Sequence, residues 1–128
     1  MSEPRVLIVD DNAVNIELAS HVLNADGFTV VSATDADDAA LLATAFRPDL
    51  ILMDTQMPDV DGLELTQKLK ADPATRHIMI VAFTACAMKG DAARLRAAGC
   101  DGHIAKPIDV TTFAATVRSR LSGGELRE

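Results

Sequence analysis

Leu50-Ile51-Leu52-Met53-Asp54 is the stretch that decides the fold. Four consecutive apolar side chains leave no polar face, so a strand made of them must be covered on both sides, as a central strand of a parallel sheet is. The run stops at a carboxylate, Asp54. Upstream, Arg5-Val6-Leu7-Ile8-Val9 repeats the pattern and also stops at acid, Asp10-Asp11. Further short runs are predicted as strands at Thr29–Ala33, Ile78–Phe83 and Gly102–Ile104. Between them lie longer stretches of helical periodicity, with helices expected to begin near Ala13, Asp35, Leu63, Lys89 and Val110. Asp109 is placed to cap the last helix, and Gly27 and Gly99 fall where the first and fourth should end. Strand and helix alternating five times along the chain predict an α/β fold, a doubly wound five-stranded parallel sheet.

A chain of 128 residues accommodates one domain, and residues 1–122 are expected to form it, with 123–128 as a flexible tail. The apolar runs are far shorter than the roughly 20 residues that span a bilayer, so no membrane association is expected. The N-terminus carries no secretory pattern, which points to the cytoplasm. A net charge of −7, with 3% aromatic residues, argues against direct nucleic-acid binding. Cys86 and Cys100 lack C-x-x-C spacing and are expected to be reduced, partly buried thiols. In the fourth helix the apolar content between Gly90 and Gly99 is almost all alanine, with Leu95 the one bulky member, so little buried area is expected to hold it. Arg94, Arg96, Arg118 and Arg120 predict a locally basic area on helices four and five.

In an open parallel sheet, ligands bind beyond the carboxyl ends of the strands. Those ends carry Asp10-Asp11, Asp54, Thr84 and, after strand five, Lys106. Three converging carboxylates repel one another, and a hard divalent cation such as Mg²⁺ (or Mn²⁺) relieves the repulsion. With a cation present, a carboxylate can attack a phosphoryl group, and Asp54 is the best-placed nucleophile. Lys106 would supply a positive charge opposite the metal, and the Thr84 hydroxyl could donate to a phosphoryl oxygen once one is present.

Val6–Asn12, Leu50–Pro58, Phe83-Thr84-Ala85 and Lys106-Pro107 resemble the four signature segments of the bacterial response-regulator receiver family, a resemblance running from about Arg5 to Leu121. It implies a flavodoxin-like (βα)5 fold with strand order 2-1-3-4-5. It further implies metal binding by Asp10, Asp11, Asp54 and the backbone carbonyl of Gln56, phospho-acceptance by Asp54, and supporting roles for Lys106 and Thr84. Asp11–Asn15 and Ala87–Asp91 are similar to segments of stand-alone cell-cycle regulators and of hybrid-kinase receivers. Three residues before Lys106 many members carry Tyr or Phe; here His103 stands there, as the candidate switch partner of Thr84.

The implied function is a single-domain response regulator of two-component phosphorelay signalling, phosphorylated by a histidine kinase or histidine phosphotransfer protein and binding a downstream protein target when phosphorylated. It would be a switch that assists its own phosphoryl transfer and dephosphorylation, not an enzyme acting on a separate substrate. The alternatives are a phosphate intermediate or sink in a phosphorelay, and a phosphate-independent docking module. A phosphatase using a strand-end aspartate would need a second Asp two residues on, where Gln56 stands. A flavin or nucleotide carrier would need a phosphate cradle after strand one, where Asp10-Asp11 would repel the anion.

Overall fold

Val6, Leu7, Ile8 and Val9 are all fully buried, and alternate side chains go to opposite faces of the sheet, as strand geometry requires. Leu7 and Val9 join Ile51, Met53 and Ile80 in one apolar layer; Val6 and Ile8 join Leu50, Leu52, Val81 and Phe83 in the other. Each such side chain contributes roughly 1.5–3 kcal/mol by leaving water. The sheet is therefore a two-sided core, as the unbroken apolar runs predict.

The computed structural model describes residues 4–54, 62–84, 89–105 and 108–121. Its elements run β1 (Arg5–Val9), α1 (Ala13–Ala25), β2 (Thr29–Ala33), α2 (Ala36–Ala45), β3 (Leu50–Asp54), α3 (Gly62–Ala71), β4 (Met79–Thr84), α4 (Lys89–Ala98), β5 (Gly102–Ala105) and α5 (Phe113–Leu121). The five strands are parallel in the order β2-β1-β3-β4-β5. Ala39 and Ala43 of α2 and Leu65 and Leu69 of α3 cover one face. Ala19 and Leu23 of α1 and Phe113 and Val117 of α5 cover the other. Gln56, Cys86, Lys106 and residues 123–128, singled out in the sequence, lie outside the described residues. No described helix is long and apolar enough to cross a membrane.

The bounds of three elements differ from expectation. β4 starts and ends one residue later than predicted because its polar terminal residue, Thr84, still pairs, opposite Ala105; β5 is one residue longer for the same reason. Asp109 caps a turn rather than the helix. Its Oδ1 accepts the Thr111 hydroxyl at 2.6 Å and the Thr111 N–H at 3.0 Å, and α5 begins only at Phe113. The Thr111 hydroxyl, then its N–H, hold the Asp109 carboxyl below the usual carboxylate range.

Gly27 and Gly99 follow α1 and α4 with φ of 93° and 108°, the left-handed conformation that ends a helix. A Cβ on Gly99 would also meet Lys70 Cγ at 3.0 Å. Lys70 is thereby positioned to tie three elements together: its Nζ donates at 2.8 Å to both Ile78 O and Asp101 Oδ2. Among the described side chains of α4, Leu95 and Ala98 are buried, Leu95 in a small cluster with Ala82, Cys100 and Leu63. Cys100 is buried, and that burial pushes its thiol up despite a hydrogen bond with Thr66 that acts the other way.

The predicted basic area is divided. Arg118 is fully engaged, with its guanidinium bonded to Asp26 Oδ2 at 2.8 and 3.2 Å and to Asp26 O at 2.6 Å, and lying 4.6 Å over the Phe28 ring. It clamps α5 to the end of α1.

Candidate functional site

The register brings the site together. Val9 pairs with Met53, so the residues that follow, Asp10 and Asp54, stand at the carboxyl ends of adjacent central strands. Asp10 continues the ladder through its N–H to Ala33 O at 3.1 Å and is fully buried. Asp54 is 3% exposed, whereas Asp11 is exposed. One carboxylate oxygen from each of Asp10, Asp11 and Asp54 lies within 4.8 Å of the others.

The loop after β1 is built to hold this acid in place. Asp10 Oδ1 accepts the Asn12 N–H at 2.9 Å, while Asn12 Oδ1 accepts Val14 N–H at 2.9 Å and Asn15 N–H at 3.2 Å, capping α1. Asn12 therefore couples the buried carboxylate to the start of the helix. Sequence reading left this role unassigned, although an Asn just before a helical stretch is the signal for it.

The donor set is hard oxygen, without His or Cys. Octahedral Mg²⁺ with bonds of about 2.1 Å needs ligand oxygens about 3–4 Å apart, and oxygens within 4.8 Å of one another reach that spacing with small side-chain adjustments. The residues present fit a divalent cation, and neutralising three adjacent carboxylates is the physical reason to bind one.

Thr84 ends β4 and is 3% exposed. The pairing of Asp54 with Phe83 sets Thr84 one step beyond Asp54 on the neighbouring strand. Ala82 pairs with His103, and alternation puts Ala82, Thr84 and His103 on one face of the sheet. His103 is exposed on the edge strand beside α4, and lines a cavity with Leu95 and Arg96. Thus Asp10, Asp11, Asp54 and Thr84 gather at one end of the sheet, while His103, paired with Ala82, lies two positions short of that end on the edge strand; Lys106 and Gln56 are not among the described residues.

Comparison with known proteins agrees with this geometry. Residues 6–118 match the family described as the response regulator receiver domain. The chain is 47% identical over 116 residues to the polar-differentiation response regulator DivK of Brucella anthropi, covering 91% of this chain and 94% of that protein. It is 46% identical, with the same coverage, to the protein of that name from Brucella ovis. Its structure matches the chemotaxis response regulator CheY4 of Vibrio cholerae with a TM-score of 0.86 and 27% identity, covering 94% of this chain and 99% of that one. It matches a response regulator from Desulfuromonas acetoxidans with a TM-score of 0.83 and 27% identity, covering 93% and 97%.

Proposed function

Because the chain belongs to the response regulator receiver family, a family of two-component signalling switches, we propose that its phosphoryl acceptor is Asp54. The observation that carries this reading is the meeting of Asp10, Asp11 and Asp54 within 4.8 Å at the strand ends. A carboxylate oxygen of Asp54 attacks the phosphorus of a phosphohistidine on a histidine kinase or phosphotransfer protein. The phosphorus–nitrogen bond breaks, the imidazole leaves with the electron pair and takes a proton, and an acyl phosphate remains on Asp54.

Asp10, Asp11, Asp54 and the Gln56 carbonyl would hold Mg²⁺ or Mn²⁺, which supplies charge neutralisation for the phosphoryl oxygens. Lys106 pairs with a phosphoryl oxygen, and the Thr84 hydroxyl donates to another. That second bond exists only in the phosphorylated state, so Thr84 moves inward, residues 85–89 rearrange and α4 shifts. His103 takes the place of the usual aromatic partner in this movement.

Residues 1–122 form the signalling unit and 123–128 a tail, and the phosphorylated form binds a downstream protein in the cytoplasm. Similarity to polar-differentiation response regulators over 94% of their length supports signalling through the receiver itself. Val14 on the first turn of α1 is 70% exposed, and Val110 in the turn before α5 is 53% exposed. These apolar side chains lie at the same end of the sheet as the acid cluster and suit docking of a phosphodonor protein there.

Intact mass after incubation with acetyl phosphate tests the reading. A gain of one phosphoryl group that requires Mg²⁺ and is absent in Asp54→Asn supports it. No gain from acetyl phosphate or from a cognate kinase would leave a phosphate-independent docking module instead.

A further inference from the structure

The register that gathers the acids at one end of the sheet also sets two entry loops side by side at the other. Leu50 pairs with Met79, so the residues leading into β3 and β4 are neighbours. Arg47, from the first loop, and His77, from the second, line one cleft of about 480 Å³ with Ala43, Thr44 and Ala74. Among the described residues, neither the Arg47 nor the His77 side chain makes an ion pair or a hydrogen bond. No acid lines the cleft. The acids nearest in sequence are engaged: Asp49 Oδ2 accepts the Arg5 N–H at 2.9 Å, and Asp72 Oδ1 accepts the Ala74 N–H at 2.9 Å. In a chain of net charge −7, an arginine left without an acid is informative.

Both groups come from backbone that is held in place. Arg5 grips the chain on either side of Arg47, its Nη1 donating to Phe46 O at 3.0 Å and its N–H to Asp49. Around His77, the Thr75 hydroxyl donates to Leu69 O at 2.6 Å, and Lys70 Nζ donates to the carbonyls of Arg76 at 3.4 Å and Ile78 at 2.8 Å. Arg47 is also the only described residue other than glycine with a positive φ, 56°, where Gly or Asn would sit at lower cost. The guanidinium is thus kept where the backbone alone would favour glycine.

A phosphate monoester has three terminal oxygens. The planar Arg47 fork can bond two of them and the His77 imidazole the third, whereas a carboxylate is satisfied by the fork alone. The Thr44 hydroxyl donates to Leu41 O at 3.0 Å, so its proton is not offered to the anion. Ala43 and Ala74 supply apolar wall, and the cleft falls in the range of roughly 300–1,000 Å³ typical of small-molecule sites, more than a bare phosphate fills. We infer that this cleft binds a phosphate monoester of a small organic molecule, with its phosphate on Arg47 and His77 and its apolar body against Ala43 and Ala74. The carboxylate cluster lies beyond the other ends of the strands, so the inference holds whether or not Asp54 accepts phosphate.

The test is an NMR titration of the full ¹⁵N-labelled chain with phenyl phosphate, in EDTA so that the carboxylate cluster holds no metal. Saturable shifts are expected at residues 43–47 and 74–77, and they should persist in Asp54→Asn. Arg47→Gly suits the local backbone and should weaken binding at least about tenfold, with the amide spectrum reporting its fold. His77→Ala must weaken binding on its own, whether or not the first variant folds. Arg76→Gln, in the same turn but outside the cleft, should leave affinity unchanged. The inference is overturned if no saturable shift occurs at these residues, if folded Arg47→Gly or His77→Ala binds as tightly as the parent, if Arg76→Gln weakens binding as much as they do, or if phenylacetate or inorganic phosphate binds as tightly as the ester.

Discussion

Replacing Asp11 by Asn should stabilise the metal-free protein while weakening its response to Mg²⁺. Two unit charges 4.8 Å apart, the outer limit for this cluster, repel by about 0.9 kcal/mol in water and about 3.5 kcal/mol at an effective dielectric of 20. Asp11 is exposed, so the lower value applies to its interaction with Asp54. Its repulsion from Asp10 counts for less, because the two are chain neighbours and repel in the unfolded state as well. The net gain is about 1 kcal/mol, or a rise in Tm of about 3–5 °C. With Mg²⁺ at ten times its Kd, the parent chain gains about 1.4 kcal/mol by linkage, and the variant, with a neutral amide in place of one anionic ligand, gains much less. Melting curves in EDTA and in MgCl2, at low ionic strength, measure both effects. The reasoning is refuted if the variant melts below the parent in EDTA, or if it keeps the full Mg²⁺ shift.

Thr84→Ala should still take phosphate on Asp54, roughly tenfold more slowly for loss of one charge-assisted hydrogen bond. The accompanying amide shifts in α4 should disappear, and unchanged shifts would disconnect Thr84 from that helix. Gly99→Ala should cost about 2–3 kcal/mol by urea denaturation, because a left-handed backbone is compounded by contact with Lys70 Cγ at 3.0 Å. Gly27→Ala, with nothing within 4 Å of the new Cβ, should cost only about 1 kcal/mol, and equal costs would remove the steric part of the argument. Burial raises the Cys100 thiol above its ordinary 9.0, so as pH rises past that value the unfolded chain loses this proton first and stability falls. Cys100→Ser should flatten that decline in urea midpoints taken from about pH 8 to about pH 10, and a parallel decline in both proteins would contradict it.

Much of this was legible in the sequence for a physical reason. Unbroken runs such as Leu50–Met53 can be buried only in a two-sided sheet, and once the strands are parallel their terminal residues must gather at one end. The meeting of Asp10, Asp11 and Asp54 follows from that topology. Thr84 and Ala105 were harder to place because they pair as strand residues at the end of their runs, where no burial pattern distinguishes strand from loop. The turn before α5 escaped for a different reason: Asp109 satisfies Thr111 as readily as it would cap a helix, and one acid cannot say which. Long-range side-chain partners were invisible. Arg118 bonds to Asp26 across 92 positions, and Lys70 to Asp101 across 31. The same blindness merged four arginines into one basic area, when one of them is a clamp and two border a cavity.

The central claim is that the acyl phosphate forms at Asp54 and nowhere else. Borohydride trapping tests it most directly: the protein is treated with acetyl phosphate and Mg²⁺, reduced, and mapped by peptide mass spectrometry. The account predicts homoserine in place of aspartate at position 54 alone, dependent on Mg²⁺. Homoserine at position 10 or 11, or none anywhere while phosphate is retained on the chain, would contradict it.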